Sequence, residues 1–361
     1  MDQSGLRDLL LVLDEKGASD LHLKPGSPPK MRLKGSLEAL VGEPSLTRGD
    51  VDKLVLELFG PLDTAFVVDN QAATTYVADG VGRFRVRAYR QRGSIAVVVR
   101  RIPDRVGSLA ELGLPHQVAA LAESARGLVL VAGSHHSGRR TTLASMLDHV
   151  NRTRAAHIVS IEQPLEILHR DAMGSVSQLE VGVDTPTFCA GINAAVAADG
   201  DVIIVSDLDD GTAASAALDA AEDGLLVLAG IRAPHGVEAL RRFVDFFPHG
   251  HHDSVRLALA GVLVGVTAQR LAPKASGIGR VPAVEITLAT PRVLECLLDP
   301  DTVGVIAQVA EDCHELGMQG FAAAIADLLE QGVIDLRGAL TVADDWGQLH
   351  REMQTRGLLG N

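Results

Sequence analysis

Between Gly133 and Thr142 the sequence reads GSHHSGRRTT, with an apolar run before it and a helical pattern after it. A loop of the form G-x-x-x-x-G-K-[ST] in a strand–turn–helix setting holds phosphate. Its glycines let backbone N–H groups close around phosphate oxygens with no Cβ in the way, and the helix N-terminus adds positive potential. Gly133, Ser134, Ser137, Gly138, Arg139, Arg140 and Thr141 are therefore the candidate phosphate contacts. The chain departs from the pattern at two places. Arg139 stands where the lysine should be, and Arg140 where a Ser or Thr hydroxyl would ligate Mg²⁺. Lysine is a compact point charge while arginine is longer, planar and fork-shaped, so the first exchange is not conservative. The second removes an oxygen ligand and brings a fixed positive charge to a divalent-metal position. Thr141 is a poor replacement, because one step along a helix turns a side chain by about 100°. A guanidinium could instead serve as the phosphate counter-charge with no metal. Alone, the match is weak, and an ordinary βα turn explains it equally well.

Two further clusters carry reactive residue types. Arg83, Arg85 and Arg87 alternate with Phe84, Val86 and Ala88, which gives a strand one basic and one apolar face. Taken alone, that stripe reads as the solvated outer face of a half-buried strand. The run HGHHD at 249–253 offers His249, His251, His252 and Asp253. Adjacent His251 and His252 cannot both aim easily at one ion in regular structure, and no second ligand cluster accompanies them. No metal site is expected there, nor at His135 and His136.

The elements that must position these residues fall into two groups. A chain of 361 residues exceeds what one core usually supports, and 47% hydrophobic with 22% charged residues is a globular balance. Leu6, Leu9, Leu10 and Leu13 share a helical face, and residues 48–60 have the pattern of a second helix. SDLHLKPG, PKMRLKGSLEAL and the stretch from Thr74 to Arg101 read as antiparallel strands, so the first 100 or so residues form a small α+β unit. IPDRVGSLAELGLP is the expected linker. GLVLVAG, AAHIVSIEQ, DVIIVSD and GLLVLAGI are near-continuous apolar strands separated by helical stretches, the mark of a parallel sheet buried on both faces. After about residue 290 the pattern is mainly helical. A net charge of −13 argues against nucleic-acid binding. The three cysteines lack C-x-x-C spacing, as expected in a reducing compartment. Neither a signal peptide nor an apolar run long enough for membrane insertion stands out, so a cytoplasmic location is expected.

Read in order, these segments resemble the secretion ATPases of the type II and type IV pilus class, especially the twitching-motility retraction motors of the PilT-like kind. GASDLHLKPGSPPKMRLKGSL is similar to their N-terminal signature, and GRFRVRAYRQRGSIAVVVRRIP to the strands that follow. The loop, the run IEQPLEILHR and DVIIVSDLDD track their phosphate loop, acidic motif and Walker B strand. FPHGHHDSVRLALAGVLVGVTAQRLAP matches the helical stretch beyond. The resemblance implies a PAS-like domain and linker over 1–112, a RecA-like P-loop domain over 113–290 and a helical C-terminal region over 291–361. It also implies homo- or hetero-hexameric rings, shared with an active motor or not, that bind ATP between subunits beside pilus or secretion platform proteins of the inner membrane.

The same resemblance marks what has changed. Glu162 and Glu166 keep both glutamates of the acidic motif, Glu162 as a candidate nucleotide-binding residue and Glu166 at a position implicated in water activation, while Gln163 replaces an aspartate. Ser206 and Asp207 stand for a Gly-Glu pair, so the carboxylate is one methylene shorter; Asp209 reverses a charge. Leu225 and Arg232 occupy the two histidine-box positions, and His235 has the wrong offset to replace either. In the TPRVLECLLDPD segment the basic positions of the motors are mostly lost. These losses converge on one reaction. The expectation is a chain in which Glu166 and Asp207 are degenerate catalytic positions, and a pseudo-ATPase with a structural or regulatory role. A divergent working retraction ATPase and a nucleotide or phosphate sensor without turnover are the alternatives. ATP, ADP or another phosphate anion is the ligand class the loop admits, and Mg²⁺ is disfavoured.

Overall fold

The structure is a computed structural model and describes residues 5–33, 36–60 and 70–358. The chain divides into two compact units between Asp104 and Arg105. In the first, β1 (Asp20–Leu23), β2 (Lys30–Leu33), β3 (Ser36–Ala39), β4 (Gln71–Ala78), β5 (Gly82–Gln91) and β6 (Ser94–Ile102) form an antiparallel sheet in the order β3-β2-β1-β6-β5-β4. Helices α1 (Leu6–Glu15) and α2 (Arg48–Phe59) contribute Leu6, Leu9, Leu10, Leu13, Val51 and Val55 to the same core as Phe84, Val86 and Ala88 of β5. The start of α2 is fixed by a capping box in which Thr47 Oγ1 accepts from the Asp50 N–H and the Asp50 carboxylate accepts from the Thr47 N–H. On the other face of β5, Arg87 is exposed and Arg83 and Arg85 are half-buried.

The second unit is built on a seven-stranded sheet. Its strands are β7 (Gly127–Gly133), β8 (His157–Glu162), β9 (Ser175–Glu180), β10 (Val202–Leu208), β11 (Leu226–Ile231), β12 (Leu263–Pro273) and β13 (Arg280–Leu288), in the order β13-β12-β7-β11-β10-β8-β9. All neighbours are parallel except the β12–β13 pair. Leu128, Leu130, Ala132, Ile203, Val205, Val227 and Ala229 enter one core cluster, and Val129, Val131, Val202, Ile204 and Leu228 the other. Alternate residues of each central strand thus serve opposite faces, which is why these strands read as unbroken apolar runs. Helices α3 (His116–Ala122) and α4 (Arg139–Thr153) cover one face, with Val118, Leu121, Met146 and Val150 in that core. The other face carries α5 (Phe188–Ala197), α6 (Gly211–Glu222), α7 (Gly236–Asp245), α8 (His252–Val262) and the C-terminal helices α9 (Pro291–Leu298), α10 (Ile306–Asp312), α11 (Phe321–Glu330), α12 (Leu336–Leu340) and α13 (Trp346–Thr355).

Two expectations change. The stretch GVLVGVTAQRLAP does not continue the helix that begins at His252: α8 ends at Val262 and β12 begins at Leu263. Val264, Val266 and Thr267 are β-branched and suit a strand, and β7 and β13 provide partners on both sides. Residues 105–112, read as linker, belong to the second unit, where Leu109 packs in the α3/α4 core. Of the histidine run, His252 Nε2 lies 2.8 Å from the Phe247 carbonyl oxygen, which anchors the first turn of α8.

Candidate functional site

The loop joining β7 to α4 sits at the carboxyl end of a central strand, flanked by β11 and β12. This is the crevice where open α/β sheets hold their ligands. Two features close the loop into a cradle. Gly138 has φ +88°, and a Cβ there would stand 2.6 Å from Gln269 Nε2, so only glycine fits without displacement. A Cβ on Gly133 would collide with Ser137. Gln269, on β12, is the brace: its Nε2 donates to the Ser137 carbonyl at 2.8 Å and its Oε1 accepts from Thr142 Oγ1 at 2.6 Å.

A cavity of about 360 Å³ opens over this loop, lined by Ser134, Ser137, Gly138, Arg139, Arg140 and Thr141 together with Glu166, Asp207 and Arg232. His135, His136, Leu271 and Arg280 complete the lining. Gly133 ends the strand beneath it, and its carbonyl accepts from Arg139 Nη1 at 3.2 Å. Glu162 lies outside the lining. Its buried carboxyl accepts from Ser160 Oγ at 2.9 Å and Gln178 Nε2 at 3.1 Å. Burial pushes its pKa up from the ordinary carboxylate range, against the pull of those two hydrogen bonds.

Arginines hold both carboxylates of the cavity. Arg139 is buried, and its Nη2 sits 3.0 Å from Asp207 Oδ2. Arg232 Nε approaches the same oxygen at 3.1 Å. Burial draws the Arg139 pKa down while Asp207 opposes it, and the guanidinium stays charged at neutral pH. Arg140 turns away from the loop: Nη1 donates to Glu166 Oε1 at 2.9 Å and Nη2 to the Gln163 carbonyl at 2.7 Å. Its charge therefore reaches the cavity as an ion pair. Arg232, at the second histidine-box position, is part of this cluster, whereas Leu225 is not. The Leu225 carbonyl accepts from the Gly127 N–H, at the opposite end of the sheet from Gly133. His235 is held elsewhere, 3.0 Å from Glu285 Oε2 and 2.8 Å from Asp344 Oδ2, and the Glu285 contact raises its pKa.

Mg²⁺ does not fit this donor set. The hydroxyl position is Arg140, and Asp207 and Glu166 each carry a guanidinium that the ion would have to displace. A unit positive charge about 4 Å from a divalent cation costs on the order of 8 kcal/mol at an effective dielectric of 20. Phosphate fits better. Four guanidiniums line the cavity, and the buried Ser137 Oγ and Arg139 Nε, which solvent does not reach, have no hydrogen-bond partner among the described residues. Arg280 and Gln269 had no part in the sequence reading, and Arg232 entered it only as a replaced histidine-box position. For Gln269 the available signal was an amide inside an otherwise apolar strand run.

Comparison with known proteins places this geometry in a family. The Type II/IV secretion system protein family matches residues 76–358. The type IV pilus ATPase PilU of Pseudomonas aeruginosa is 34% identical over 94% of this chain and 89% of its own length. The type IV pilus retraction ATPase PilT of the same organism is 34% identical over 92% of this chain and 96% of its own. A crystal structure of the pilus retraction motor PilT with bound ADP superposes with a TM-score of 0.87 at 34% identity, covering 97% of this chain and all of that one. The mixed fold, an N-terminal α+β unit followed by an ATPase-type α/β unit with a helical C-terminal region, is the fold of that motor. The chain belongs to the Type II/IV secretion system protein family, in its PilT-like branch.

Proposed function

We propose that this chain is a pilus-motor ATPase relative that has kept the fold and the phosphate loop and does not hydrolyse ATP. Its role is structural or regulatory, in a homo- or hetero-hexameric ring of a type IV pilus or related secretion machine. One observation carries the reading: both carboxylates of the cavity are neutralised by the chain's own arginines, Asp207 by Arg139 and Arg232, and Glu166 by Arg140. Hydrolysis of a phosphoanhydride needs a metal template and a free carboxylate or equivalent to orient water. Here the charges that would hold metal and water are spent on internal ion pairs. The contact proposed with an inner-membrane platform is peripheral and from the cytoplasmic side; no helix among the described residues is long and apolar enough to cross a membrane. A working, divergent retraction ATPase is the second reading, favoured by the position of Glu166 and Asp207 on the same cavity. Steady-state ATP turnover with Mg²⁺ decides between them. The native chain is expected to show background phosphate release, and Mg²⁺-dependent turnover at motor rates would overturn the proposal. Co-purification with an active PilT-like motor would then identify the ring.

A further inference from the structure

The cavity has a charge surplus that the non-hydrolysing reading leaves unused. Its lining holds four arginines, Arg139, Arg140, Arg232 and Arg280, and two carboxylates, Glu166 and Asp207. Internal pairing accounts for both carboxylates, since Asp207 alone is shared by two guanidiniums. Two positive charges are left over in a space with room for a short phosphate chain. At its floor lies the N-terminus of a 15-residue helix, with loop glycines that keep side chains out. Ser137 and Arg139, both more than nine-tenths buried, line this space, and their Oγ and Nε, which solvent does not reach, lack partners among the described residues. A buried donor without an acceptor is costly, and rotation of the Ser137 hydroxyl from its place against Gly133 toward a bound anion would supply one. The opposing feature is Asp207 Oδ1, also buried and unpartnered, but its carboxylate already faces two guanidiniums.

We propose that this site binds a linear phosphate chain, that of a nucleoside triphosphate or inorganic polyphosphate, without a divalent metal, and that Mg²⁺ weakens the binding. Arg140 is the element of exchange. Its pairing with Glu166 lies at the cavity rim with both side chains about a third exposed, so the guanidinium can leave that carboxylate for a phosphate oxygen. There it occupies the electrostatic place of the metal as a bidentate donor. Mg²⁺ bound to the phosphates would neutralise the charge that the arginines recognise and would add a cation to an already positive site. The idea rests on the non-hydrolysing reading and adds to it the ligand class and its metal dependence.

The test is isothermal titration of the full chain with ATP and with inorganic tripolyphosphate, each in EDTA and in excess Mg²⁺ at matched ionic strength. Both ligands are expected to bind in EDTA, with affinity about tenfold or more weaker once Mg²⁺ saturates them. Arg140→Ser should lose about tenfold of the metal-free affinity while Arg140→Lys, which keeps the charge, loses less. Matching melting temperatures would show that the variants are folded. Binding that tightens with Mg²⁺, metal-free binding indifferent to Arg140→Ser, binding of ATP alone, or no binding in EDTA would each overturn the proposal. Phosphate release followed in the same samples keeps the two claims apart. Turnover would sink the non-hydrolysing reading, whereas Mg²⁺-dependent binding without turnover would sink only the metal-free claim.

Discussion

Asp207 and Glu166 are both paired with arginine, but their surroundings make the two pairs unequal. Asp207 and Arg139 are each over nine-tenths buried, while Arg140 and Glu166 remain about a third exposed. Removing one partner of a buried pair strands the other charge in a poorly solvated place, at a cost of about 3–5 kcal/mol. An exposed pair contributes about 0–1 kcal/mol. Asp207→Ala should therefore lower stability by about 3 kcal/mol in urea unfolding, and Glu166→Ala by less than about 1. Equal losses would contradict the placement of Arg139. At this scale the sequence was informative about residue types and blind to their partners. Arg139 and Arg140 stood out against the loop pattern, but nothing in the linear order says that Arg139 turns inward to Asp207 and Arg140 sideways to Glu166. Those partners lie 68 and 26 residues away along the chain. Leu225 and Arg232, read together as one lost motif, proved to sit at opposite ends of one strand.

Strand ends and helix starts bring the cluster together, and most of them were legible. Both faces of the sheet in the second unit are covered, so β7, β8, β10 and β11 carry near-continuous apolar runs and announced themselves. The strand β12 did not, because a short apolar run has no periodicity that separates strand from buried helix. With it the brace Gln269 was missed, since its hydrogen bonds span 127 and 132 residues. At the end of β8, burial raises the Glu162 pKa. A carboxyl whose folded pKa lies above its unfolded value of about 4.3 contributes stability below that value and loses it as pH rises through the folded pKa. Glu162→Gln removes the titration and can still accept from Ser160 and Gln178. The variant should gain stability relative to the native chain as pH is raised from about 4 to 7. A constant difference in urea midpoints across that range would show that Glu162 does not titrate in this way.

For the whole molecule, charge is divided unevenly between the two units. Residues 1–104 carry 15 Lys and Arg against 14 Asp and Glu, and residues 105–361 carry 18 against 32. Copies that associate head to tail can set the near-neutral unit, with its arginine-bearing sheet face, against the acidic one. Heterologous contacts of this kind form a ring when the rotation between copies closes and a filament when it does not. Assembly should then weaken with salt, because screening at 1 M shortens the Debye length to about 3 Å. Light scattering is expected to give a lower mass at high salt than at low salt, and a salt-independent mass would contradict an electrostatic contact. The division into an α+β unit and an α/β unit was readable from strand patterning, whereas the boundary at Asp104 was not, because Leu109 packs in the second core across a stretch that reads as linker. The central claim concerns the molecule as a catalyst. Its most direct test is steady-state phosphate release from ATP by the full chain in excess Mg²⁺, beside the Arg139→Lys/Arg140→Ser variant. The native chain is expected to stay at background, with the variant no worse. Mg²⁺-dependent turnover by the native chain that the double substitution abolishes would contradict the account.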